Sequence, residues 1–339
     1  MEKVLTVGEM MLRFKPTDHR RIIQTDAFEA SYGGSEANVA VSLAMLGDHA
    51  EYFTKLPDNL LGDSALGTLR RYGAKVDDVI RGGERMGIYF FEKGASVRNT
   101  NVVYDRAHSA FSEIKASEFD WATLLDGKSY FYFSGITAAL SAEIREALLA
   151  GCQYAKAHEI TVVCDMNFRG KMWSPEQAQK EMARLMPFVN VCLANDEDFE
   201  ATLGIKAFDG DMTHGISQKD SFAAAMKQVH QQYPNCRIIA SVVRDIRSVE
   251  DSDWMALLLY DGEVYQSATY HMHVLEGVAG GDAFGAGLVH GLLHKLMPQA
   301  LIEYAIAASV SKLTIPGDFN LVNDQDIRAV MSSGNSIDR

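Results

Sequence analysis

Five short runs of this chain are nearly continuous in apolar residues: Val4 to Val7, Tyr130 to Phe133, Ile160 to Cys164, Val191 to Ala194 and Ile238 to Val243. A strand with one wet face alternates polar and apolar residues, so strands that are apolar on both faces must be covered on both sides. The arrangement that does this is a mostly parallel sheet with helices packed on each face. Helical patterns fill the gaps between the runs. Ser174-Pro175-Glu176-Gln177 reads as a helix start, with Ser174 as cap, Pro175 in the first turn and Gln177 reaching back. Alanine-rich helices are expected at about 142 to 157 and 298 to 313. The fold class is therefore α/β, a doubly wound sandwich.

Two stretches, about 12 to 32 and 86 to 106, break this rhythm. Met86-Gly87-Ile88-Tyr89-Phe90-Phe91-Glu92 and Asn101-Val102-Val103-Tyr104-Asp105 alternate without a helical period, as suits a small antiparallel sheet with one open face. The expected organisation is one α/β unit over residues 1–339, with 12–32 and 86–106 forming a discontinuous β lid over the open edge of the main sheet. Asp261-Gly262, between Leu257 to Tyr260 and Val264-Tyr265, is a hairpin turn that should end the main sheet in antiparallel strands.

At 339 residues, 47% apolar and 23% charged, the chain has globular composition and enough length for a full core. Its formal charge of −13 repels nucleic acid and anionic membranes at long range, so neither is expected as a partner. No segment reaches the roughly 18 apolar residues of a membrane span, and Glu2 to Gly8 lacks the basic-then-apolar pattern of a leader, so a cytoplasmic location is expected. Cys152, Cys164, Cys192 and Cys236 lack metal-ligand spacing and read as buried, reduced thiols.

The chemistry concentrates at Gly280-Gly281-Asp282, where a helix of small and apolar residues begins at once. Adjacent glycines let backbone approach a ligand, and the first amides of a helix have no intrahelical acceptor, so the junction suits an anion such as phosphate. A carboxylate at the same place makes sense if Asp282 takes a proton from a hydroxyl that attacks phosphorus. Taken alone, the tripeptide is equally a turn followed by an N-cap aspartate. Two common nucleotide motifs are absent. Gly127-Lys128-Ser129 imitates the end of a P-loop, but position 122 is Ala122 and the strand comes afterwards; Gly8 leads into Glu9-Met10-Met11-Leu12 rather than a dinucleotide fingerprint.

Gly33-Gly34-Ser35-Glu36-Ala37-Asn38-Val39-Ala40 with Leu46-Gly47 resembles the N-terminal signature of the PfkB (ribokinase-like) carbohydrate kinases, and Gly280-Gly281-Asp282-Ala283-Phe284 with Gly287 resembles their C-terminal signature. Gly8 to Arg13, Leu56 to Asn59, Tyr104-Asp105-Arg106, Asp165 to Arg169, Trp173-Ser174 and Gly317 to Asn320 are similar to the 2-keto-3-deoxygluconate kinase branch, so the resemblance runs from about residue 3 to 330. It implies ATP-dependent, Mg²⁺-assisted phosphorylation of a sugar hydroxyl, on a ribokinase-like α/β domain closed by a β-sheet lid. Carried over by resemblance, Asp282 is the base, and the amides of Ala279, Gly280, Gly281 and Asp282 form the anion hole. Gly34, Tyr89, Tyr104, Arg106 and Arg169 line the pocket of the acid substrate, and Asp318 holds sugar hydroxyls. Asn195 and Arg244 meet the nucleotide, with Asp198 beside the metal through water.

Each of these has a plainer reading. Tyr89 and Tyr104 could pack the lid, Arg106 could be a surface charge, Gly33-Gly34 a turn, and Asn195 or Arg244 a cap or surface charge. Arg169 follows a strand at its carboxyl end, where open α/β sheets place ligands. The chain departs from the branch at Glu276, Gly277 and Ala279, where Asp-Arg and a first glycine are usual, and at Asp198, one methylene shorter than the usual glutamate. Since alanine disfavours positive φ, the loop at Ala279 is expected to run differently. The rival readings are a kinase for fructose or another ketose, and a sugar-binding regulatory protein without phosphoryl transfer. Tyr89, Phe90 and Phe91 in succession send aromatics to both faces of a lid strand, so a homodimer through the lid is expected.

Overall fold

The computed structural model describes residues 2–332, which leaves Met1 and residues 333–339 of the expected unit outside the described residues. Among the described residues the main sheet has nine strands. Across it run Glu263–Gln266, Asp251–Tyr260, Ile238–Ile246, Val191–Leu193, Thr161–Asp165, Tyr130–Ser134, Lys3–Val7 and His49–Phe53, with Tyr270–His273 also paired to Asp251–Tyr260. From Ile238–Ile246 to His49–Phe53 every pairing is parallel, for example Val4 opposite Ala50 and Val163 opposite Val191; beyond Ile238–Ile246 the pairings are antiparallel.

The apolar runs behave as their composition demands. Within Thr161–Asp165, Val162 and Cys164 pack into one core cluster and Val163 into another; Phe131 and Phe133 part from Tyr132 in the same way. Alternate side chains of one strand thus feed the two helical layers on opposite faces of the sheet. All four cysteines are buried and free. Helices form at Ala142–Ala157 and Pro298–Lys312. Ser174 caps Pro175–Leu185 by accepting from the Gln177 amide at 3.3 Å, although the expected return bond from the Gln177 side chain is not made. Asp261 (φ 50°) and Gly262 (φ 89°) form the tight turn between the last long strands, with both residues left-handed as a type I′ hairpin requires.

A second sheet of four strands runs Phe28–Gly33, Met11–Pro16, Gly87–Glu92 and Asn101–Asp105. It takes its strands from the two stretches whose alternation set them apart in the sequence, but the expected antiparallel sheet is corrected to a mixed one. The two hairpin pairs are antiparallel, while Met11–Pro16 and Gly87–Glu92, which come from separate stretches with no hairpin between them, pair in parallel. Met11, Tyr89 and Phe91 pack together on one face, with Val278 against them; on the other Phe14 stacks on Phe90 and Phe28 meets both edge-on, with ring centroids 5.6 to 6.1 Å apart. Because the parallel strands share one direction, Val7, Ser134, Asp165 and Leu193 all end at one edge of the main sheet, and the functional candidates gather there. No helix among the described residues is long and apolar enough to cross a membrane.

Candidate active site

Two hollows of about 1250 and 890 Å³ meet at this edge. Both are lined by Asn167, Phe168, Arg169, Gly277, Val278, Ala279 and Asp282. The larger lies under the small sheet, with Gly34, Tyr89, Tyr104, Arg106 and Asp318 in its wall; the smaller takes in Asn195, Asp198, Arg244, Gly280 and Gly281. The cleft therefore brings together all the candidate residues, with Arg169, Ala279 and Asp282 shared by both hollows.

At the junction stands the start of the Gly280–Leu293 helix. Its small residues are almost all buried, and Ser309 Oγ anchors the first turn by donating to the Gly280 carbonyl at 2.9 Å. Ala279 is the N-cap at φ 58°, ψ 17°, and no side chain caps the helix. The first bond of the ladder is from Ala283 N to Ala279 O at 3.0 Å, and the amides of Ala279, Gly280, Gly281 and Asp282 have no protein acceptor among the described residues. Four free N–H groups thus face a cleft, the condition for anion binding at a helix start. The expectation that alanine would divert the loop is corrected: Ala279 adopts the left-handed conformation despite its Cβ. Asn167 (φ 34°) and Asp196 (φ 36°) are left-handed nearby, so three non-glycine residues with unfavourable backbone border one cleft.

Asp282 is buried in the first turn and is not the cap. Its Oδ1 accepts from Ser35 Oγ at 2.6 Å and its Oδ2 from Asn38 Nδ2 at 2.7 Å, both on the helix that follows Gly33-Gly34. Burial raises the Asp282 carboxyl above the ordinary range, and the bonds from Asn38 and Ser35 offset this only in part. The sequence led to an untuned carboxylate at a helix N-terminus; desolvation makes it a stronger base than that. The glycines before Ser35 act through closeness rather than as a turn. A Cβ on Gly34 would lie 2.1 Å from the Glu9 carbonyl oxygen, and one on Gly33 would lie 2.3 Å from an Asp318 oxygen, so only glycine lets this helix start against both.

Asp318 belongs to a buried charge network whose members lie too far apart along the chain to be paired from sequence. Arg13 donates to Asp318 at 2.7 Å and to Glu276 at 2.5 Å, Lys15 reaches Glu276 at 3.1 Å, and the Tyr89 hydroxyl donates to Asp318 at 2.5 Å. Burial alone would raise the Glu276 carboxyl; Arg13 and Lys15 outweigh it and hold it below the usual range. Burial and the neighbouring Asp318 push the Tyr89 phenol well up, so it stays a neutral donor. Arg13 was visible only as the last residue of a motif, although its register with Met11 in an alternating strand puts both on the cleft-facing side. Lys312 was also missed. It is wholly buried, donates to the Ile315 carbonyl at 2.9 Å, and burial pulls its ammonium down to about 8 against the opposing pull of Asp318, Glu276 and Asp282.

The two candidate arginines differ. Arg106 is committed to the protein: its Nε donates to Glu9 Oε2 at 2.9 Å, a terminal nitrogen pairs with the same oxygen, and it lies over the Tyr104 ring at 5.6 Å. Glu9, buried and also held by Ser109, is a cleft residue that sequence reading did not single out. Arg169 is exposed, and its guanidinium donates only to the Phe168 carbonyl, at 3.0 Å. It is a cation without a carboxylate partner among the described residues, at the meeting point of the hollows.

On the smaller side, Asp198 accepts from the Phe168 amide at 2.7 Å and the Asn195 amide at 2.8 Å, tying together the turns after two adjacent strands. Burial pushes its carboxyl up to about 6 despite those bonds. Asn195 Oδ1 accepts from the Val242 amide at 2.7 Å, and Arg244 pairs with Asp196 and lies over the Trp254 ring at 5.0 Å. The unexpected member is Asp165. It is 3% exposed at the end of its strand, its Oδ1 has no hydrogen-bond partner among the described residues, and burial followed by Asp198 and Asp282 pushes its carboxyl well up. Arg169 offsets these neighbouring carboxylates only in part, so the buried oxygen is short of positive charge. Asp165 with Asp198 therefore fits a divalent ion bound through water, as Mg²⁺ commonly is.

A model of the pfkB family carbohydrate kinases matches residues 1–321. The chain is 29% identical over 340 residues to a 2-dehydro-3-deoxygalactonokinase of Haloferax volcanii, with 99% of each chain covered. It superposes on the crystal structure of a 2-dehydro-3-deoxygluconokinase from Thermotoga maritima with a TM-score of 0.93 and 42% identity, over 98% of both chains. A fructokinase of Xylella fastidiosa with bound ATP shares the fold, with a TM-score of 0.77 at 18% identity over 98% of this chain and 99% of that one.

Proposed function

The chain belongs to the pfkB family of carbohydrate kinases, and from that footing we propose that it phosphorylates a hydroxyl of a sugar acid with ATP, converting 2-keto-3-deoxygluconate to its 6-phosphate. The observation that carries this reading is the joint placement of Asp282 and four unoccupied amides where the two hollows meet. ATP takes the smaller hollow, with Asn195 and Arg244 beside its phosphates, and the sugar takes the larger. Asp282, fixed by Ser35 and Asn38, removes the hydroxyl proton as the oxygen attacks the γ-phosphorus. The bond to the ADP oxygen breaks, and the charge gathering on the transferred group meets the amides of Ala279 to Asp282. The proton rests on the Asp282 carboxyl, which burial favours. Asp165 and Asp198 would hold Mg²⁺, which supplies charge neutralisation at the phosphates.

For the acceptor, Arg169 is the residue with donors to spare for a substrate carboxylate, while Tyr89 and Asp318 stand ready for hydroxyls. Arg106 would act through Glu9 and Tyr104 rather than as a free clamp. That commitment favours a second reading, a neutral ketose such as fructose, because one free arginine is a thinner reason for an acid than two. The small sheet works as the lid, and its outer aromatic face pairs with a second copy of the chain.

The test is ADP release across a panel of 2-keto-3-deoxy acids and neutral ketoses. The acid reading expects turnover with the acids and a fall of roughly 10²–10⁴ in Asp282→Asn. Arg169→Ala should raise KM for acids and leave any neutral sugar untouched; equal damage to both classes argues for the ketose. Tight acid binding without ADP release would mean a binding protein.

A further inference from the structure

The Gly280–Leu293 helix begins at the cleft, and at its other end lies a second cluster of ligand-type side chains. His290 and His294, one turn apart, face Asp48 in the segment after the Ser35–Met45 helix. Asp48 Oδ2 is 2.7 Å from His290 Nδ1, Asp48 Oδ1 is 2.9 Å from His294 Nε2, and the ligand atoms of all three lie within 4.8 Å of one another. From these residues we propose a second metal site, which binds Zn²⁺ or a similar borderline divalent ion through two imidazoles and one carboxylate.

Four features carry it. The donor set is that of zinc, nickel or copper(II) rather than magnesium, which prefers oxygen alone. Spacing of i and i+4 puts both imidazoles on one helix face. The outer nitrogen of His290 lies 3.6 Å from Asp324 Oδ1, an oxygen that accepts from Tyr304 at 2.9 Å and Arg328 at 3.0 Å. That separation is too long for a hydrogen bond, but a metal on Nδ1 leaves the Nε2 proton directed toward a nearby carboxylate, the kind of partner that metal-bound histidines usually have. Lastly, exposure is graded: His290 and Asp48 side chains are 3% and 7% exposed and His294 is 53%, which leaves a closed floor and one open coordination position.

Ligands in tetrahedral zinc sites stand about 3.3 Å apart. The two hydrogen-bonded contacts therefore open by about half an ångström as the ion replaces the protons between them, and ligand atoms now up to 4.8 Å apart draw together around it. Asp282 and His290 are eight residues apart, about 12 Å along the helix axis, so this ion is not the one at the phosphates. Bound, it would tie the end of the catalytic helix to the Asp48 segment and, through Asp324, to the last helix described.

The experiment uses the full chain, stripped of metal by chelator and titrated with Co²⁺, followed by visible absorption and by calorimetric competition with Zn²⁺. One equivalent should bind and give the intense bands of a low-coordinate site. Asp48→Asn and His294→Ala should each weaken binding by tenfold or more while kcat for the sugar stays as in the wild type, and Asp282→Asn should bind Co²⁺ unchanged. His294 is exposed, so its variant keeps the test valid if Asp48→Asn fails to fold. Absence of saturable binding, or binding equal in wild type and His294→Ala, overturns the proposal. Neither result bears on the kinase assignment.

Discussion

Asp165 shows what a single residue gives up for a function. Its Oδ1 is buried without a hydrogen-bond partner among the described residues, and desolvation together with the like charges of Asp198 and Asp282 makes the folded protein hold the proton more tightly than the unfolded chain. The sign of the pH effect follows. With the folded value above the ordinary 3.8, ionisation opposes folding at every pH above that point, and the penalty disappears as pH falls toward 3.8. Asp165→Asn, which removes the buried charge, should therefore be more stable than the wild type at neutral pH, by about 1–3 kcal/mol. The advantage should shrink on acidification and vanish below 3.8. Urea midpoints as a function of pH measure it. If Asp165 Oδ1 serves the proposed Mg²⁺ site, the same variant should also lose turnover at limiting Mg²⁺. A variant that is less stable at neutral pH would show that the orphan oxygen is satisfied in solution.

The start of the Gly280–Leu293 helix separates stability from catalysis within one element. Ala279 sits at φ 58°, where a Cβ costs about 1–2 kcal/mol and glycine nothing. Glycine also gives the unfolded chain more freedom, so Ala279→Gly should stabilise by about 0.5–1 kcal/mol on balance, with the anion-binding amides kept. Gly281 behaves in the opposite way. A Cβ there would meet no protein atom within 4 Å, and the residue lines the smaller hollow. Gly281→Ala should fold as well as the wild type or better, since alanine is the better helix former, yet lose roughly 10²-fold in kcat as its methyl takes the space of the transferred phosphoryl group. Thermal melts beside ADP-release rates check both; full activity in Gly281→Ala would mean the phosphate lies elsewhere.

On the scale of the whole molecule, the small sheet has a cleft-facing side and an outer side that nothing among the described residues covers. Phe28 is 36% and Val103 55% exposed beside the stacked Phe14 and Phe90 rings, an apolar patch on the face turned away from Tyr89 and Phe91. Burying such a patch against its own copy is the economical way to cover it. The chain should run as a dimer in size-exclusion chromatography with light scattering, and the double variant Phe28→Asp, Val103→Asp should run as a monomer. A wild-type monomer at micromolar concentration would remove the proposed dimer.

The fold was legible because its signals are local or periodic. Runs such as Val162-Val163-Cys164 force burial on both faces, the alternation around Tyr89 and Tyr104 marks a second sheet, and Asp261-Gly262 permits few turns. The Gly-Gly-Asp junction was legible because a helix start carries its own free amides wherever it occurs. What the sequence could not show was who faces whom. Arg13 meets Glu276 and Asp318 across 263 and 305 residues, Arg106 meets Glu9 across 97, and Ser35 and Asn38 reach Asp282 across 247 and 244. Nor could it show the orphaned oxygen of Asp165 or the left-handed turn at Ala279. Residue types and periods set which elements form and which of them carry chemistry, because backbone sterics and burial act on neighbours along the chain. Charge pairing, desolvation and the strain a packed site tolerates depend on distances in space, and only the tertiary structure decided those.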